Sequence, residues 1–365
     1  MSKKKSIAFL SFNLTSGGAE RVFSNLANEF SADYPVSMIT IEKCTPFYEL
    51  DQRVQRWDCG LSIAKKGPVS RYFSYITTAI KLRKLIKEKK IDLVVSASPT
   101  VNVFAILGCM GTNTKCVISE VNNPIVDPPN LFWKTWRDLL YNKSDCLISQ
   151  TQSSKDFFSK IMDNNKIVVL PNPLNPEFQS QRVLPIKRPD NKTILTVGRL
   201  DSNKAQDILI RAFANIPHKD WTVKLLGDGV EMESLKQLSE ALGVGEQIHF
   251  AGRQSNVADY YKKADIFVFT SRSEGLPNAL IEAQYFGLPC ISTDCPFGPS
   301  EIIEDGTNGY LIEVDSVEQL EEKLVHLINE PGVRDTFSEN SIKASKKYEM
   351  GSVKKQWEEL FNSLA

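Results

Sequence analysis

The chain has 365 residues, 42% hydrophobic and 24% charged, an ordinary composition for a globular protein but too long for one average core; two domains are expected. Seven cysteines without a close CxxC pair, and three scattered histidines (His218, His249, His326), exclude a disulfide framework and a zinc site of ordinary spacing, and so point to a reducing cytoplasm. Net charge is zero yet divided: residues 1–185 hold 24 Lys and Arg against 16 Asp and Glu, and residues 186–365 hold 20 against 28. A basic first half suits anionic lipid or a diphosphate, unless it is uneven surface charge without function.

In chain order, "MSKKKSIAFLSF" reads as a first strand rather than a signal peptide, because its apolar run is short and leads into polar residues and Gly-Gly. Short β-branched runs then recur at 36–41, 54–58, 92–97, 115–119, 145–150 and 166–172, with helical patterns between most of them. Residues 93–114 carry no charge, but Pro99, Asn102 and several Ser and Thr predict strand, turn and buried helix, not a membrane span. A Pro-rich stretch ending at Asn191 predicts a linker over 176–191.

The second half repeats the scheme at 193–199, 221–229, 247–252, 265–271, 288–293 and 309–313. Alternating strands and helices predict an α/β protein of two tandem Rossmann-like, doubly wound domains facing a central cleft, at 1–175 and 192–347. The tail 348–365 has Trp357, Leu360 and Phe361 on one helical face.

Three motifs carry chemistry. In "VGRLDSNKAQDILIRAF" (197–213), Arg199 ends a strand and Lys204 stands at a helix entrance, so both can converge on a diphosphate. In "LLGDGVEMESL" (225–235), Gly227 and Gly229 would let backbone approach a ligand closely. In "SRSEGLPNALIEAQYFGLP" (271–289), a helix is expected to begin about Pro277 and Asn278, leaving orphan amides that suit an anion. Glu274 before that turn can accept hydrogen bonds from sugar hydroxyls, and Glu282 one turn inside can reach a ribose. Each also has a bland reading, as loop charge or as an acid complementing a helix dipole.

Those stretches, with "GPSEIIEDGTNGYLIE" (298–313) and the N-terminal "SFNLTSGGAERVFSNLANEF" (11–30), resemble glycosyltransferase family 4 over almost the whole chain. The resemblance implies a retaining, sugar-nucleotide-dependent enzyme of the GT-B fold, with Arg199 and Lys204 on the donor diphosphate. It implies Glu274 at the transferred sugar near the reacting centre and Glu282 at the ribose. Gly275, Leu276, Pro277 and Asn278 would present backbone amides to phosphate and sugar, and Gly252 and Arg253 would lie beside the base. Gly17 and Gly18 would let the N-terminal loop close over the diphosphate, and the last helix would return to the first domain.

Two departures stand out. Ala205 occupies the place of the family's usual glycine after the lysine, a small change that should be tolerated. Val121, in "SEVNNP" (119–124), stands where many members carry a histidine that touches the donor sugar. Glu120 or Asn122 either replaces that histidine or caps a turn, and both readings stay open.

Without an Asp-x-Asp pair, no ligands for a metal clamp are evident, and metal-independent transfer is expected, with fixed cations stabilising the departing diphosphate. Expected partners are a nucleotide sugar, UDP-sugar favoured, and a glycan acceptor, lipid-linked or free. The stretch "RYFSYITTAIKLRKLIKEKK" (71–90) carries seven basic residues, Arg71, Lys81, Arg83, Lys84 and Lys87 among them, against one acid. Such a helix either lies on the anionic inner face of the plasma membrane or packs its apolar stripe on the sheet. No recognition fold for nucleic acid accompanies it. A non-catalytic sugar-nucleotide-binding subunit, or another GT-B enzyme such as an epimerase, is the alternative.

Overall fold

The computed structural model describes residues 4–15, 17–61, 68–121, 123–126, 128–182, 191–217 and 220–364. The chain divides into two compact units, one of residues 1–175 with 350–365 and one of residues 176–349. All thirteen apolar runs form strands.

In the first unit the strands are β1 (Ile7–Ser11), β2 (Val36–Glu42), β3 (Gln55–Leu61), β4 (Leu93–Ala97), β5 (Lys115–Glu120), β6 (Cys146–Ser149) and β7 (Ile167–Val169). They pair in parallel in the order β3-β2-β1-β4-β5-β6-β7. A parallel sheet is covered on both faces, so its central strands are apolar throughout rather than alternating with polar residues. In β1, Ile7 and Phe9 join one core cluster while Ala8 and Leu10 join the other. The uncharged stretch 93–114 resolves into β4 and the helix Pro99–Cys109, with proline in its first turn.

The helix Met350–Ser363 belongs to this first unit. Its apolar face enters the core: Trp357 lies 6.4 Å from Phe9, and Phe361 5.4 Å from Phe30. Lys354 adds ion pairs to Glu29 (3.2 Å) and Asp33 (2.7 Å).

The second unit holds β8 (Thr193–Val197), β9 (Thr222–Leu226), β10 (Ile248–Gly252), β11 (Ile266–Phe269), β12 (Cys290–Thr293) and β13 (Gly309–Ile312), in the order β10-β9-β8-β11-β12-β13. All pairs are parallel. One face packs Ile194, Val223 and Val268 against the helices Gln206–Asn215 and Val317–Asn329. On the other, Tyr261 stacks on Phe286 at 5.5 Å and lies tilted against Phe267 at 5.9 Å. Within the expected linker, Glu177–Gln181 forms a short helix whose Phe178 is buried against Phe286, and residues 183–190 lie outside the described residues. Each sheet has the doubly wound, Rossmann-like topology.

Candidate active site

In an open parallel sheet, loops after strands wound in opposite directions diverge and leave a crevice at the carboxyl ends. In the second unit that switch point lies between β8 and β11, which pair through Ile194 with Ile266 and Leu195 with Phe267. It therefore brings together the loops 198–205 and 270–277, the two stretches that carry Arg199, Lys204 and Glu274.

Polar contacts tie these loops to each other. Thr270 donates its hydroxyl to the Lys204 carbonyl at 2.9 Å, Asn203 donates its side-chain amide to the Ser273 carbonyl at 2.9 Å, and the Arg272 amide reaches the Asn203 carbonyl at 2.8 Å. The Arg272 guanidinium clamps the same loop, donating to the Ser202 carbonyl and to Asp315 (2.7 Å). So fixed, Lys204 Nζ stands 2.5 Å from Glu274 Oε1, with the two side chains only 19% and 12% exposed. Arg199 is different: its side chain is 78% exposed, with Nε 3.3 Å from Asp201. Behind the pair, burial and the nearby Glu274 carboxylate push the Cys295 thiol up to about 12, which makes it inert at neutral pH.

Ala205 caps the helix 206–215 in the left-handed region, at φ 50° and ψ 42°. That conformation is nearly free for glycine and costs an alanine about 1 kcal/mol.

The turn 275–277 runs into the helix Asn278–Tyr285, where the Leu280 and Ile281 amides both bond the Pro277 carbonyl, at 3.1 and 3.3 Å. Pro277 serves as the cap rather than the first helical residue. Gly298 supports this turn from the loop after β12: at φ 97°, a Cβ there would stand 2.6 Å from Pro277 Cδ and 3.3 Å from Leu276 Cα.

A model of "Glycosyl transferases group 1" matches residues 178–344, and one of "Glycosyltransferase Family 4" matches residues 16–178. An uncharacterized glycosyltransferase of Haemophilus influenzae is 30% identical over 357 residues, covering 97% of this chain and 99% of its own. The chain belongs to the family 4 glycosyltransferases. A Campylobacter jejuni alpha-1,4-N-acetyl-D-galactosaminyltransferase, named for a diphospho-undecaprenol-linked acceptor, is 28% identical, covering 96% of both chains. Among solved structures, a Rickettsia africae glycosyltransferase superposes with a TM-score of 0.83 at 20% identity, covering 99% of this chain and 98% of that one. Anabaena HepE in complex with UDP gives 0.79 at 20%, covering 98% and 100%. These likenesses place the fold in the GT-B class.

In this glycosyltransferase the other expected donor residues fall in distinct settings. Glu282 is 4% exposed and its Oε2 accepts from the Tyr261 hydroxyl at 3.0 Å, so its carboxylate faces the aromatic layer. Gly227 and Gly229 turn out to be needed by the protein itself: a Cβ on Gly227 would stand 2.8 Å from the Gly198 carbonyl carbon, and one on Gly229 2.7 Å from the Leu200 nitrogen. They let the loop after β9 nest against the loop that carries Arg199. Gly252 carries a hydrogen bond from the Gly227 amide to its carbonyl (2.9 Å), and Arg253 beside it is exposed.

In the first unit, Gly17 caps the helix Gly18–Phe30. Glu120 ends β5 and is no turn cap: it is buried, with Oε1 accepting from the Tyr141 hydroxyl and from Asn102 Nδ2 at 3.3 Å. Burial pushes its carboxyl up to about 7, against the opposing pull of Tyr141, Arg137 and Asn102. Asn122 lies outside the described residues.

Residues 71–88 of the basic stretch lie in the helix Pro68–Glu88, with Lys89 and Lys90 in the turn after it; the side chain of Arg71 is outside the described part. Leu82 and Ile86 face the core, while Tyr72, Phe73, Ile76 and Ile80 are exposed, Phe73 by 65%. Its inner side thus packs on the core, as one of the two readings expected. The outer face continues onto the helix Leu131–Leu140, where Phe132 lies 5.2 Å from Tyr72, and Leu131, Trp136 and Leu139 are exposed. Lys81, Arg83, Lys84 and Lys87 fall in the second half of the helix: Arg83 lies 3.5 Å from the Gly111 carbonyl, and Lys84 3.6 Å from Glu88. No helix among the described residues is long and apolar enough to cross a membrane.

Arg272, Thr270 and Gly298 were not singled out from the sequence. Arg272 had a signal, a lone cation inside the motif loop, but its partners at 202, 207 and 315 are distant in sequence.

Proposed function

We propose that this glycosyltransferase is retaining and metal-independent, moving an N-acetylhexosamine or hexose from a UDP-sugar to a polyprenyl-diphosphate-linked glycan. The observation that carries the reading is the convergence of Lys204 and Glu274 at the β8/β11 switch point, with Arg199 on the same loop and a helix start beside them. Cations and main-chain dipoles there suit the diphosphate, and the acid suits sugar hydroxyls. UDP in the HepE structure and the lipid-linked acceptor in the Campylobacter enzyme's name support the choice of donor and acceptor.

In the proposed transfer the bond from the anomeric carbon to the diphosphate oxygen breaks while the acceptor oxygen bonds to that carbon on the same face. The acceptor proton passes to the departing phosphate oxygen, and Lys204 and Arg199 offset the charge that develops on it. A single-turnover assay with a panel of nucleotide sugars and a synthetic lipid-diphosphate acceptor, with and without EDTA, tests every part. Transfer from UDP-N-acetylhexosamine with an axial product linkage, indifferent to EDTA, is the expected result.

The exposed aromatic and aliphatic face of the helices 68–88 and 131–140, beside a basic segment, supports peripheral attachment to an anionic inner membrane leaflet. Flotation with phosphatidylglycerol vesicles should carry the protein, and Phe73→Ser with Ile76→Ser should abolish it. Indifference to both lipid charge and these substitutions removes the attachment.

A further inference from the structure

We infer that Glu274 sets the preference of the site for an intact nucleotide sugar over the bare nucleoside diphosphate, by competing with the diphosphate for Lys204. This rests on the donor-site reading above.

The pair is built so that neither partner can move off by a shift of backbone. Lys204 is held at its amide by the Asp201 side chain (3.0 Å) and at its carbonyl by Thr270 (2.9 Å). Glu274 follows Ser273 and Arg272, whose main chains are bonded to Asn203 at 2.9 and 2.8 Å. Both charged ends are largely withdrawn from solvent, so their interaction is poorly screened.

The ammonium has three donors and can touch a carboxylate and a phosphate together, but its single charge cannot neutralise both. A diphosphate that engages Lys204 therefore sits close to the Glu274 charge and weakens the ion pair that Glu274 makes with Lys204. Like charges at that separation in a partly buried site repel. A sugar attached to the diphosphate changes the balance, because its hydroxyls donate to the Glu274 carboxylate and satisfy it where Lys204 no longer does. The bare diphosphate brings no such donors. Discrimination thus comes from a repulsive element that the correct ligand alone relieves. Arg199, exposed and loosely paired, adds attraction to either ligand without distinguishing them.

One consequence concerns release. When the sugar leaves for the acceptor, the hydroxyl donors leave with it, and the diphosphate again faces the charge of Glu274. The acid that grips the donor then helps expel the product.

Calorimetric titration of the full chain with UDP and with UDP-N-acetylhexosamine tests this. Wild type should bind the intact donor at least tenfold more tightly than UDP. Glu274→Gln, which keeps shape and removes charge, should bind UDP 10- to 100-fold more tightly than wild type without a matching gain for the sugar nucleotide. Glu274→Asp, which keeps the charge, should bind UDP as weakly as wild type. Equal UDP affinity in wild type and Glu274→Gln overturns the inference and leaves the donor site standing. If no UDP, GDP or ADP binding is found for any of the three proteins, the donor-site reading itself falls. Should Glu274→Gln not fold, the wild-type ratio decides alone, and UDP binding as tight as the intact donor overturns the inference.

Discussion

Gly298 faces the carbonyl oxygen of Gly275 so closely that a Cβ on Gly298 would lie well inside van der Waals contact with it. The backbone of Gly298 also sits at φ 97°, where side chains are strained. Gly298→Ala must therefore displace the 275–277 turn or distort its own loop. The expected cost is about 2–3 kcal/mol in urea denaturation, accompanied by weaker UDP binding. Gly332→Ala is the control, since nothing lies within 4 Å of a Cβ there and the position is helical. It should leave stability and UDP binding unchanged or slightly improved.

Ala205 makes the opposite prediction. Its left-handed conformation at a helix entrance is strained for any residue with a Cβ. Ala205→Gly should raise stability by about 0.5 kcal/mol, the relief of strain exceeding the entropy glycine loses on folding. Ala205→Val should destabilise strongly, because a branched Cβ is least tolerated there and the site is 1% exposed. Thermal melts of the two variants decide the sign.

Lys204→Ala should reduce kcat by two or more orders of magnitude, since the cation placed on the departing diphosphate is gone. Folding should survive: the lost ion pair leaves Glu274 beside solvent it can partly reach, at a cost of about 1–2 kcal/mol. Lys204→Arg should not restore the rate, because a planar fork cannot take the place of a compact ammonium held against Glu274 and 5.1 Å from the centre of the Phe269 ring. Near-normal turnover in Lys204→Ala would remove this residue from the chemistry.

The parts of this molecule that were legible in the sequence are those written in local pattern. β-Branched runs gave the strands because buried parallel strands need apolar residues on both faces, as Ile7 to Leu10 show. Lys204 and Glu274 could be read because each sits at a strand-loop-helix junction of recognisable spelling. What stayed hidden depends on residues far apart in the chain. Arg272 gains its role from Ser202, Asp207 and Asp315, and Gly298 from Gly275 and Pro277. Gly227 and Gly229 meet a further demand that was not visible in sequence, since each packs against the backbone of residues 198–200. Glu120 looked like a loop residue because Asn102 and Tyr141, which enclose it, lie 18 and 21 positions away.

Glu120 carries the last prediction, a dependence of stability on pH. Burial raises its carboxyl from the ordinary 4.5 to about 7 in the folded protein, while in the unfolded chain it ionises near the ordinary value. Below pH 4.5 the acid is protonated in both states, and its contribution is fully present. Between 4.5 and 7 the unfolded chain sheds the proton first, so folding stability falls by about 1.4 kcal/mol per pH unit. Above 7 both states are ionised and the loss levels off at about 3 kcal/mol. Glu120→Gln has no proton to lose, and its carboxamide oxygen can still accept from Tyr141 and Asn102. The variant should therefore match the wild type near pH 4.5 and exceed it by up to about 3 kcal/mol at pH 8. Urea denaturation of both proteins across that range isolates the difference from every other titrating group. A gap between the two that stays constant with pH would mean that Glu120 ionises alike in the folded and unfolded chain.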